Sequence, residues 1–160
     1  MSGLKLGDLI FDPRRVVYIP SLKAVVCSGL LDALKVSIVD GLRAVLERVD
    51  AVIEDHRPES LVILGSFTQD SALRGLMRRW GKRTKIHLVA DSIDSDARDL
   101  AETLGAEVHH ELVWGQYRFV TQSSEQDAEL QLFTVIGKPN YSVRVGRRPF
   151  GGMKLAVFLK

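Results

Sequence analysis

The stretch Ser60-Leu-Val-Ile-Leu-Gly-Ser66, SLVILGS, is a β-branched run too short for a helix and apolar on both faces. A strand of that kind is covered from both sides, as in the middle of a parallel sheet. Upstream, Leu42, Val45, Leu46, Val49, Val52 and Ile53 follow the stripe of a helix packed on one face; Ser37 or Asp40 suits its start, and Pro58 stops it. Downstream, Ala72, Leu73, Leu76, Met77 and Trp80 mark a second helix, and Lys85 to Ala90, KIHLVA, a second strand. Asp94 or Ser95 can cap a third helix that turns Ala97, Leu100, Ala101 and Leu104 inward and ends at Gly105.

The ends of the chain read differently. DLIFDPRRVVYIPSLKAVVCS breaks into short runs at Asp12-Pro13 and Pro20-Ser21, which predicts a meander of strands. After AEVHH the helical period disappears, and WGQYRFVTQ, LQLFTVIG, YSVRV and MKLAVFLK read as strand segments. A chain that is β-rich at both ends and alternates strand with helix in between implies an α/β fold, with parallel strands continued by antiparallel ones and helices outside. At 160 residues, 46% of them hydrophobic, one domain spanning 1–160 is expected.

Net charge is only +2, but it is unevenly spread. Ser71 to Ala90 holds no acid and carries Arg74, Arg78, Arg79, Lys82 and Arg83. Leu130 to Lys160 is likewise acid-free and carries Arg144, Arg147 and Arg148. These residues would suit contacts to nucleic-acid phosphates, or they form solvated faces. One cysteine, Cys27, excludes an intrachain disulfide and a Cys-rich zinc site. The first residues reach Asp8 and Asp12 before an apolar segment of signal-peptide length forms, and no run approaches the roughly 18 residues of a membrane helix. A cytoplasmic protein without membrane contact is expected.

In an open parallel sheet, ligands bind beyond the carboxyl ends of the strands. That rule selects Ser28 and Gly29, Gly65 and Ser66, Asp91 and Ser92, and Lys138 and Asn140 from a later turn. The set is poor in metal ligands, so no metal and no cofactor is expected. His109 and His110 are adjacent in a strand, and alternation sends them to opposite faces; His56 and His87 read as structural or solvent-facing. Cys27, one residue inside its strand, reads as buried and unreactive. Trp114, Tyr117 and Phe119 suit either an interface or one core face of a strand.

The order of these tips resembles the calcineurin-like metallophosphoesterases, and among them the small bacterial DNA-ligase-associated phosphoesterases. GDLIFDPRRVVYIPSLKAVVCSGLLDALK is similar to the opening strands, RPESLVILGSF to the segment leading to Gly-Asp, IHLVADSIDSDARDLAETLGAEVHHE to the Gly-Asn-His region, and FTVIGKPNYSVRVG to the strand before Gly-His-x-His. The resemblance implies a sandwich of mixed sheets flanked by helices. It also implies a lost dinuclear centre. Ser28 and Leu30 stand for the Asp and His of the first motif, and Ser66 for the bridging aspartate. Asp91 and Ser92 stand for the Asn-His pair, and Lys138 and Asn140 for the last two histidines. With its ligands replaced in this way, the resemblance implies a non-catalytic domain that binds a protein partner or acts as a scaffold, with a link to DNA repair. Nucleic-acid binding by the basic segments, and metal-free or weakly metal-dependent phosphoester hydrolysis, are the alternatives.

Overall fold

A computed structural model describes residues 3–14, 16–28, 40–65, 71–121, 133–138, 142–146 and 153–156. The first sheet has seven strands: β1 (Leu4–Leu6), β2 (Leu9–Asp12), β3 (Val16–Ile19), β4 (Ala24–Ser28), β5 (Ser60–Leu64), β6 (Lys85–Val89) and β7 (Glu107–His109), lying side by side in chain order. β1 to β4 pair antiparallel, which is the expected meander with one further strand at its start. β4 to β7 pair parallel, and the described helices α1 (Asp40–His56), α2 (Ser71–Gly81) and α3 (Ser95–Leu104) lie between them in the chain.

The second sheet has the order β12-β11-β10-β9-β8, formed by β8 (Leu112–Trp114), β9 (Tyr117–Val120), β10 (Phe133–Lys138), β11 (Ser142–Gly146) and β12 (Met153–Ala156). Its pairs are antiparallel except β9 with β10. WGQYRFVTQ, which reads as one strand in the sequence, is in fact divided. Trp114 pairs with Tyr117 across a two-residue turn, where Gly115 takes φ +60°, a conformation that favours glycine. The turn is only Gly115-Gln116, with strand-forming residues on both sides, which hides it.

Side-chain alternation splits the first sheet between two cores. Val25, Cys27, Leu61, Ile63, Ile86 and Leu88 point to the helices and meet Val49, Val52, Ile53, Met77, Trp80 and Leu100. Val26, Val62, Leu64 and Val89 point the other way and meet Tyr117, Phe119 and Val135 of the second sheet. Every residue of β5 is buried, because one face lies under helices and the other under a sheet. Tyr117 and Phe119 are therefore core residues, not part of an interface. Among the described residues no helix is long and apolar enough to cross a membrane.

The helix ends follow the local chemistry expected of them. Asp94 Oδ1 accepts from the Ala97 amide at 2.9 Å, and Gly105, at φ +61°, donates its amide to the last turn of α3. α1 ends at His56, ahead of Arg57 at φ +45° and Pro58. That end is tied to the meander by a polar cluster. The Asp12 carboxylate accepts from the Arg14 amide at 2.8 Å, from Arg14 Nε at 2.7 Å and from Arg14 Nη2 at 2.6 Å, and His56 Nε2 lies 3.1 Å away. Tyr18 stacks on the His56 ring.

The hydrogen bonds from the Arg14 guanidinium, aided by its amide and by His56 and opposed by burial, hold Asp12 well below the usual carboxylate range. A depressed carboxylate stabilises the fold above its unfolded value of about 4, and that contribution is lost as pH falls below it. Asp12→Ala is expected to cost about 2–3 kcal/mol at neutral pH. The gap from wild type should narrow as denaturant melts are repeated from pH 5 down to pH 2; a gap independent of pH would contradict the role given to this carboxylate.

Candidate functional site

The parallel register brings the carboxyl ends of β4, β5 and β6 to one edge, since Ser28 pairs with Leu64 and Leu64 with Val89. Ser28 is half-buried there, while Asp91 and Ser92, just past β6, are exposed. Two strand spacings of about 4.8 Å separate the tips of β4 and β6. Gly65 leaves β5 at φ +147° with its amide donating to Val89 O at 3.0 Å, so glycine is needed there for the backbone turn itself. Lys138 closes β10, which packs against β4 and β5. Leu30, Ser66 and Asn140 lie outside the described residues, as does Gly29.

Cys27 is buried, and burial alone pushes its thiol up to about 12, which removes it as a nucleophile.

The basic segment on α2 is less available than its sequence implies. Arg79 forms an ion pair with Asp50 of α1, and the same carboxylate accepts from Trp80 Nε1 at 2.8 Å. Arg83 Nη1 lies 3.9 Å from Glu54. Arg74 is half-buried, and Arg78 and Lys82 are exposed. Arg144 belongs to β11, opposite Ile136 and Lys154, while Arg147 and Arg148 lie outside the described residues. The two ion pairs come from packing of α1 on α2, a long-range contact that charge counting along the chain does not see.

One constellation was missed by sequence reasoning. Among the described residues, a single group of three or more His, Cys, Asp or Glu has ligand atoms within 4.8 Å of one another: His87, Glu107 and His109. His87 sits in the middle of β6 directly beside Glu107 in β7, and His109, two residues on, returns to the same face. His87 Nδ1 is 3.4 Å from Glu107 Oε2 and 3.5 Å from His109 Nε2, and the third side, His109 Nε2 to Glu107 Oε2, is 3.6 Å. Lys85 Nζ holds the other carboxylate oxygen, Oε1, at 2.6 Å and draws the Glu107 pKa down.

His87 is 8% exposed, with the ring of Trp114 tilted against it at 5.6 Å; burial lowers its pKa. The signal was present in the sequence: Glu107-Val-His109 in a strand puts both polar groups on one face, and KIHLVA supplies the histidine next door. The adjacent His110 masks the Glu-x-His pattern. His110 follows β7 and is exposed.

No protein-family description and no curated protein matches this chain. Among solved structures, its fold is similar to that of the Pseudomonas putida nuclease MPE, with a TM-score of 0.61 and 22% sequence identity over 72% of this chain. The match spans 62% of the nuclease chain. At the level of fold, the likeness bears out the resemblance read from the sequence: a mixed α/β architecture with a seven-stranded mixed sheet.

Proposed function

We propose that this chain is a domain of calcineurin-like phosphoesterase fold that has lost its dinuclear centre and serves as a protein-binding or scaffold module. One observation carries the reading. The tips of β4 and β5 lie side by side, and Ser28 and Gly65 there, with Ser66 next in the sequence, offer neither carboxylate nor imidazole. Two-metal phosphoryl hydrolysis needs a carboxylate to bridge the ions, so that they neutralise phosphate oxygens and yield hydroxide near neutral pH. Serines cannot supply that bridge. Asp91 is the one carboxylate among the tip residues, and Lys138 brings a positive charge in place of an imidazole. The fold likeness to a nuclease supports the ancestry of the framework; a link to DNA repair and a cytoplasmic location are part of the same proposal.

A direct role on nucleic acid is less favoured, because Arg79 and Arg83 are engaged with Asp50 and Glu54. The test is phosphodiesterase activity of the purified chain on an aryl phosphodiester with manganese, nickel or zinc. The expected rate is that of the metal alone. Turnover well above it that disappears in Ser66→Ala would overturn the proposal.

A further inference from the structure

We propose that His87 Nδ1, Glu107 Oε2 and His109 Nε2 form a mononuclear site for a borderline divalent cation, zinc being the best fit, on the β6–β7 edge of the first sheet. The site is independent of what became of the strand tips. Its first support is geometric. The three atoms form a nearly equilateral triangle with sides of 3.4, 3.5 and 3.6 Å. Zinc bonds to imidazole nitrogen and carboxylate oxygen are about 2.0–2.1 Å, so two ligands of a tetrahedral ion are about 3.4 Å apart. The triangle therefore has the dimensions of one face of such a tetrahedron, and an ion just off its plane reaches all three atoms, leaving one tetrahedral position for a fourth ligand.

The second support is chemical. Two imidazoles and one carboxylate form a ligand set that zinc accepts, whereas calcium and magnesium call for more oxygens. The third is the scaffold. The ligands come from two adjacent strands in fixed register, and positions on strands are held more tightly than positions on loops. The outer contacts also suit a metal. Lys85 takes Glu107 Oε1 and leaves Oε2 to the ion as a single donor, and Trp114 packs on the His87 ring. A bound ion would clamp the three-residue edge strand β7 to β6.

Zinc is titrated into the purified full chain by calorimetry, with metal content measured after gel filtration. One equivalent is expected at this site. His109→Ala and Glu107→Gln, at positions partly open to solvent, should each weaken binding by at least about tenfold. His110→Ala should leave it unchanged. Cobalt in place of zinc should give the visible bands of tetrahedral coordination, lost in His87→Ala; circular dichroism of each variant without metal shows that the fold is retained. If His87→Ala does not fold, the other two variants decide.

Failure to bind in a large excess of zinc overturns the proposal, as does undiminished binding in His109→Ala. So does a single equivalent lost in Asp91→Ala but kept in His109→Ala. Two equivalents, one removed by His109→Ala and the other by Asp91→Ala, would support the edge site and overturn the metal-free reading of the strand tips.

Discussion

Trp80→Ala is expected to lower the free energy of unfolding by about 4 kcal/mol. Trp80 is fully buried where α2 meets α1 and the first sheet, among Met77, Ile86 and Leu100. Truncation removes that packing and leaves a cavity that neighbouring strands and helices cannot close. It also takes the indole donor from Asp50, which sits on α1 with Arg79 as its other partner. Small domains are stable by roughly 5–15 kcal/mol, so the loss is a large share of the total. With an m-value of about 2 kcal/mol/M, the urea midpoint should fall by about 2 M. Trp80→Phe keeps most of the bulk and loses the hydrogen bond, so its cost should be nearer about 1–2 kcal/mol. Equal melts for the two variants would mean that packing of the ring is not what holds α2 in place.

The second large effect tests the facing of the two sheets. Val62 is fully buried on the face of β5 turned toward Phe119 and Val135. Val62→Asp would force a carboxylate into that apolar layer, away from water. The cost should exceed about 4 kcal/mol, and the chain should fail to give a cooperative melt. Val113 on β8 is 52% exposed, and Val113→Asp should stay within about 0.5 kcal/mol of wild type. If the two substitutions behave alike, the burial assigned to β5 beneath the second sheet is wrong.

The parts of the fold legible in the sequence are those where one segment carries its own evidence. SLVILGS announces burial on both faces, Asp94 and Gly105 bracket α3, and Pro58 limits α1; the structure keeps each of them. What escaped depends on contacts between segments. The β8–β9 turn is hidden because it is only two residues long, Gly115-Gln116, between two strand-forming runs. The basic residues of α2 and of the turn after it looked available because the acids facing Arg79 and Arg83 belong to α1. His87 looked like an isolated strand histidine because its partners stand in the next strand, 20 and 22 positions away along the chain. The strand-tip positions were legible as residue types, and the shared edge of Ser28, Gly65 and Asp91 follows from parallel pairing that the sequence implied.

The seven strands of the first sheet stand in space in the order in which they occur in the chain. A nascent chain leaving the ribosome therefore offers each strand a partner that has already been made, and no strand waits for a later one to be threaded between its neighbours. Closure is short within the meander of β1 to β4 and longer across each helical crossover from β4 to β7, so the meander is expected to form first. The sheet can zip from its amino-terminal side while the segment carrying β10 to β12 is still being synthesised, so that the inner face of β4 to β6 is the last large apolar surface to be covered.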